Sequence, residues 1–177
     1  MALNEKEKQD LVVLLEKIEN TEIRGEIWHQ LVKKFITVPV ELCILDNQNR
    51  VFLVYRKDRE FDGYHMPGSV VNDWETVDEA RKRLVRDEVI IGAGIEITEP
   101  EPIGWMDSPK DAGPTEPSPR HGILLLHIAR FHGDFQPRDG MGFYSLDSIP
   151  ENTLGCHKYL FPFLKRYLED SKPILGK

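Results

Sequence analysis

Gly63-Tyr64-His65-Met66-Pro67-Gly68-Ser69, then Glu75-Thr76, then Arg83-Leu84-Val85-Arg86-Asp87-Glu88 is the stretch that decides the fold. Residues 76–89 read as its helix. Val77, Ala80, Leu84 and Val85 supply the apolar positions. Asp78 and Glu79 fall in the first turn, where the helix dipole favours acids, and Gly92 and Gly94 end the segment. Leu84, Asp87 and Glu88, spaced by three and four, share one face. Two carboxylates beside a Gly-Ser turn have two readings. They can hold a hard divalent cation, or they can be a solvated acidic patch, which is the commoner use of such a face.

Upstream, residues 37–45 are rich in β-branched side chains and read as a strand. Asp46-Asn47-Gln48-Asn49 is a turn, and residues 50–56 return as the second strand of a hairpin. Further upstream two helices are expected. The first covers about residues 4–19, with Leu11, Val12, Leu14, Leu15 and Ile18 as its apolar stripe. The second carries Ile23, Ile27, Leu31 and Phe35 at intervals of four. This hairpin packs either on its own domain or on a second copy, as a homodimer. The expected division is a helical extension over residues 1–35 and a main domain over residues 36–177.

Downstream, Ile95-Glu96-Ile97 opens an extended segment, and residues 108–120, dense in Pro, Gly, Asp and Ser, form a long loop. Residues 121–131 read as an apolar strand and Phe143-Tyr144-Ser145-Leu146 as another. A closing helix over residues 157–168 places Leu160, Phe161, Phe163, Leu164 and Leu168 on its apolar side. Too few helices separate the strands for a doubly wound parallel sheet. The expected class is α/β (α+β): a mixed sheet flanked by helices, an α/β/α sandwich with an N-terminal helical hairpin.

The 177 residues suit one domain with a short appendage. A net charge of −7 argues against a nucleic-acid polymer as partner. It leaves room for a nucleotide, because a bound divalent cation reverses the local sign of a site. Cys43 sits in an apolar run. Cys156 adjoins His157, which invites a metal or nucleophile reading, but no second Cys-His pair supports it. The N-terminal residues lack the basic start and apolar run of a signal peptide, and no stretch reaches the roughly 18 apolar residues of a membrane span. A cytoplasmic protein without membrane contact is expected.

The stretch around residues 63–91 resembles the Nudix box: Gly, five residues, Glu, seven residues, then Arg-Glu-apolar-any-Glu-Glu-any-Gly-apolar. Here the count runs from Ser69 to Glu75 to Arg83 and on through Leu84, Asp87 and Glu88. With the flanking Arg56 and the late Phe143-Tyr144 strand, the resemblance covers roughly residues 38–168. The box departs from the pattern in four places: Ser69 for the first Gly, Leu84 for a Glu, Asp87 for a Glu, and Ile90 for the late Gly. Leu84 and the single last carboxylate, Glu88, are similar to the GDP-mannose mannosyl hydrolases. Arg56 stands where that subgroup has a catalytic arginine and Glu41 where it has an acid. Its Gln-His pair aligns instead with Pro137-Arg138, which can serve neither as ligand nor as base.

The resemblance implies a magnesium-dependent hydrolase, with manganese as the alternative ion. Its substrate would be a small nucleotide-type molecule, a nucleoside diphosphate linked to another moiety such as a sugar. It implies Glu88, Asp87 and a backbone carbonyl near Gly68 as metal contacts, and a Glu75–Arg83 pair that braces the loop. Arg56 and Arg59 would meet phosphate, Arg56 the more strongly. His121 is a candidate base or a structural histidine. Tyr64, Trp74 and Trp105 could stack on a base or sugar, or serve the core. Asp107, Asp111, Glu116 and Asp139 are further base candidates that read equally as solvated loop residues. A domain of this fold that binds a nucleotide or nucleotide sugar without cleaving it is the competing expectation.

Overall fold

Residues 40–45 are apolar except for Glu41, with no polar alternation, which marks a strand covered on both faces. The computed structural model, which describes residues 3–17, 31, 35–57, 61–108, 122–136 and 140–170, places it at the centre of the sheet. Strand β1 (Pro39–Leu45) pairs antiparallel with β2 (Val51–Lys57) and β4 (Gly68–Val70), and parallel with β6 (Ile123–Arg130). β3 (Asp62–His65) and β7 (Met141–Tyr144) pair with β2, and β5 (Glu101–Asp107) pairs with β6. Among the described residues these strands make one mixed sheet in the order β3-β2-β1-β6-β5.

The β1–β2 turn forms as expected, and locally. The Asp46 carboxylate accepts from the Gln48 and Arg50 amides at 2.9 and 2.8 Å. Asn49 takes the left-handed φ of 58° that asparagine tolerates.

Alternation along β1 builds two cores, one on each side. Val40, Leu42, Ile44 and Phe52 pack against Ala80, Leu84, Val89 and Ala93 of the central helix. Cys43, Leu45, Val51 and Leu53 pack against Leu160, Phe161 and Leu164 of the closing helix. The central helix is α2 (Val77–Leu84), continued as a π-helix over Val85–Ala93, and the closing helix is α3 (Gly155–Asp170). The result is the expected mixed sheet between helices. Val77 and Phe163, assigned to apolar faces from the sequence, are instead exposed.

Helix α1 (Glu5–Lys17) starts at an Asn4–Glu7 capping box, with bonds of 3.0 and 2.7 Å, and buries none of its residues. Its apolar stripe is therefore not packed on the described part of the domain. The second N-terminal helix, except Leu31 and Phe35, lies outside the described residues. So do Arg59, Asp111, Glu116, His121, Pro137, Arg138 and Asp139.

β3 is locked to the turn before α3 by main-chain bonds from Tyr64 N–H to Asn152 O (3.1 Å) and from Leu154 N–H to Tyr64 O (2.8 Å). The approach is so close that a Cβ on Gly63 would sit 1.9 Å from the Asn152 carbonyl oxygen. Backbone cannot move aside as a flexible side chain can. Gly63→Ala is expected to cost about 3 kcal/mol, lowering the melting temperature by roughly 10 °C. A thermal melt within two degrees of wild type would contradict this.

Candidate functional site

The site grows from the start of α2. Thr76 caps the helix: its hydroxyl accepts from Glu79 N–H at 3.2 Å, and the Glu79 carboxylate accepts from Thr76 N–H at 2.8 Å. Buried residues then recur at Ala80 and Leu84, but the next is Val89, five positions on, followed by Ala93. That five-residue step is the π register. It carries the helix past the expected end near Val89 as far as Ala93, where Gly94 (φ 69°) stops it. The three-and-four spacing expected to align Leu84, Asp87 and Glu88 does not hold in this register, and the three diverge. Leu84, 1% exposed, belongs to the core. Asp87 turns to the surface, where its two oxygens meet Arg86 Nε and Nη2 at 2.6 and 2.9 Å. Glu88 turns back to the sheet.

The Glu88 carboxylate accepts the Gly68 backbone N–H, and crowding by protein atoms pushes its pKa up to about 7. The negative charge of Glu41 adds to the rise, while Arg56 and Arg83 oppose it. Solvent still reaches Glu88 from the open side. Glu41 is Gly68's cross-strand partner and is only 7% exposed. Its Oε2 lies where a Cβ on Gly68 would come within 2.3 Å, so a side chain at this position would displace the buried Glu41 carboxylate. Gly68 is thus held between two carboxylates. Arg56 follows Phe52 and Val54 on the α2 face of β2, and so shares the face on which Glu88 lies.

The loop is fastened to the helix by Arg83. Its Nε and Nη2 donate to the two Glu75 oxygens at 2.7 and 2.8 Å, Nη1 to Ser69 Oγ at 2.8 Å, and Nη2 to the Val70 carbonyl at 3.0 Å. Glu75 also accepts Asn72 N–H at 2.9 Å. Ser69, a departure from the box pattern, therefore contributes a hydroxyl to this fastening.

A match to the NUDIX domain model spans residues 36–169. The chain belongs to the NUDIX domain family. Solved structures superpose on it at low identity. A MutT NUDIX hydrolase from Burkholderia pseudomallei has a TM-score of 0.56 at 20% identity, over 73% of this chain and 98% of its own. An ADP-ribose pyrophosphatase from Streptococcus suis gives 0.52 at 23%, over 81% and 97%. A UDP-X diphosphatase gives 0.55 at 13%, over 97% and 87%. At these identities the likeness is one of fold. A search of the curated proteins finds no match.

The other expected residues of this NUDIX domain are spread over both faces. Tyr64 lies on the α3 face, its ring 5.3 Å from those of Tyr55 and Tyr144, in an aromatic row on the other side of the sheet from Glu88. Trp74 is 95% exposed in the loop before α2, and Trp105 is exposed on β5. Asp107 ends β5. His157 is the residue missed from the sequence. The sequence singles it out only as the neighbour of Cys156 and as the start of the closing helix, yet its position relative to Leu160, Phe161 and Leu164 puts it on the buried stripe. A titratable side chain heading an apolar stripe was the available signal.

The raised pKa of Glu88 gives a stability prediction. Folded, the group binds its proton more tightly than at the ordinary Glu value of 4.5. The favourable contribution is therefore complete below about pH 4.5 and is lost as pH rises through about 7. Metal-free protein is expected to lose stability over that window, and Glu88→Gln to flatten the loss. Urea midpoints at pH 5 and pH 8 check this; equal slopes for the two proteins would contradict it.

Proposed function

We propose that this NUDIX domain is a magnesium-dependent hydrolase of a nucleoside diphosphate linked to another moiety, with nucleotide sugars as the substrate class. The observation that carries the reading is the Glu88 carboxylate on the Gly68 amide, within electrostatic reach of Glu41, Arg56 and Arg83. A crowded carboxylate whose hold on a proton is raised by burial and by a neighbouring carboxylate is suited to a hard divalent cation, which relieves both. Glu88 and the Gly68 backbone would hold that cation. Asp87 would join directly or through water, on release from Arg86. When bound, the cation screens the diphosphate oxygens and activates water.

The chain's own groups do the rest. Arg56 binds a phosphate oxygen through two N–H donors, with Arg59 as a weaker second cation. Glu75 and Arg83 keep the Gly68 turn in register with Glu88. His121 is assigned to the remainder of the substrate, whereas Tyr64, across the sheet from Glu88, is not. Leu84 and the single last carboxylate favour a one-metal site like that of the GDP-mannose mannosyl hydrolases. Manganese would substitute for magnesium on the same oxygen ligands.

A second reading, binding of a nucleotide or nucleotide sugar without cleavage, draws on two observations. Leu84 replaces a carboxylate with a core side chain, and Asp87 is engaged by Arg86. One screen separates the two. Nucleoside diphosphate sugars and dinucleoside compounds are incubated with magnesium while phosphate and sugar release are followed. Release that EDTA abolishes supports the hydrolase. No release from any compound, with a melting shift from one of them, supports binding alone. Neither response would sink both readings.

A further inference from the structure

We propose that His157, on the closing helix, is a positioning residue for the cation-binding turn: one buried imidazole ties the Met66 amide to the Glu41 carboxylate and so fixes Gly68 between Glu41 and Glu88. This inference rests on the reading of Glu88 and Gly68 as cation-holding groups.

His157 is 1% exposed and sits among Leu160, Phe161 and Leu164. Burying an imidazole in such surroundings is costly unless both nitrogens are bonded. Both are. Nδ1 accepts the Met66 N–H at 3.0 Å. A ring nitrogen that accepts carries no proton, so the proton is on Nε2, which donates to Glu41 Oε2 at 3.1 Å. Burial opposes the imidazolium while Cys156 and Glu41 favour it, but a ring nitrogen that accepts the Met66 N–H stays unprotonated for as long as that bond is kept.

One partner lies in the turn and the other directly across from it. Met66 is two residues before Gly68, and Glu41 is the residue opposite Gly68 in the β1–β4 ladder. The next carbonyl along, that of Pro67, is already bound to Leu42 N–H at 2.9 Å. The turn is therefore held on one side by the sheet and on the other by a side chain from α3. Removing that side chain would release Glu41 from Gly68 and let the turn shift against Glu88. Groups that orient a ligand without touching the metal commonly govern its affinity by about 10- to 100-fold.

The test uses the full chain and Mn2+ as probe. Affinity and coordination are read by electron paramagnetic resonance, alongside the melting temperature of metal-free protein. His157→Leu, close in size, removes both bonds and is expected to weaken Mn2+ binding about 10- to 100-fold. His157→Gln keeps a donor for Glu41 and is expected to recover part of the loss. Adding Glu41→Gln to His157→Leu is expected to cost little more, since the two act as one unit. If His157→Leu lowers the melting temperature but leaves Mn2+ affinity and spectrum unchanged, His157 is merely structural and the proposal is overturned. Should that variant not fold, His157→Gln and His157→Asn carry the test, and wild-type affinity in both overturns it. Wild-type protein that binds no Mn2+ defeats the cation reading itself. Wild-type binding with insensitive variants defeats only the role of His157.

Discussion

Glu88→Gln is expected to lower kcat/KM by about three orders of magnitude, on the several kcal/mol that a placed cation contributes to such a transition state. The substitution keeps the shape of the side chain, and its amide oxygen still accepts the Gly68 N–H. What disappears is the negative charge, which the Glu41 carboxylate and the surrounding protein already disfavour. The apo fold should therefore melt at the same temperature or higher, so loss of turnover cannot be ascribed to unfolding. Steady-state rates at saturating magnesium, on the compound that the screen selects, give the comparison. Turnover within tenfold of wild type would remove Glu88 from the site. A protein that only binds its ligand would keep its affinity in this variant and lose it in Arg56→Ala.

What could be read without coordinates was what local chemistry decides. The hairpin turn at Asp46–Asn49 is such a case, because its carboxylate and amides lie within four residues of one another. The start of α2 is another, because Thr76 and Glu79 cap each other. The Glu75–Arg83 pair is what the resemblance implies, and the two side chains do meet, through two hydrogen bonds. The register at the other end of α2 was not legible. Packing on the sheet selects Val89 rather than a residue three or four after Leu84, and that step sends Asp87 outward while Glu88 faces Gly68. The Glu41–His157 contact was hidden for a different reason. It joins residues 116 positions apart, and only the burial of α3 on β1 brings them together. The departures from the box pattern also change meaning in three dimensions. Leu84 fills the core beneath the helix, and Ser69 lends its hydroxyl to Arg83.

Arg83→Lys is expected to be far from conservative, costing roughly 2–3 kcal/mol of stability. A single ammonium cannot span both Glu75 oxygens, the Ser69 hydroxyl and the Val70 carbonyl, which the guanidinium joins with four hydrogen bonds. Lysine would keep one of these and leave Glu75 partly unpaired at a position only 13% exposed. The Arg83 bonds hold the Glu75 carboxyl below its ordinary value of 4.5. Their contribution is thus present above that value and is lost as pH falls through the lowered one, so Arg83→Lys should weaken neutral-pH stability more than acid stability. The same bonds set where Ser69 and Val70 lie, and hence where Gly68 meets Glu88. A displacement of about 1 Å there should reduce kcat about 100-fold, with a smaller effect on KM. Glu75→Gln, which keeps an oxygen for Arg83 Nε, should fall between wild type and Arg83→Lys in both respects. Urea unfolding and steady-state kinetics on the same preparations decide the matter. If stability drops across this series while kcat stays constant, Arg83 fastens the fold but does not place the cation turn. If the two fall together in the stated order, the fastening is what keeps Gly68 and Glu88 in catalytic register.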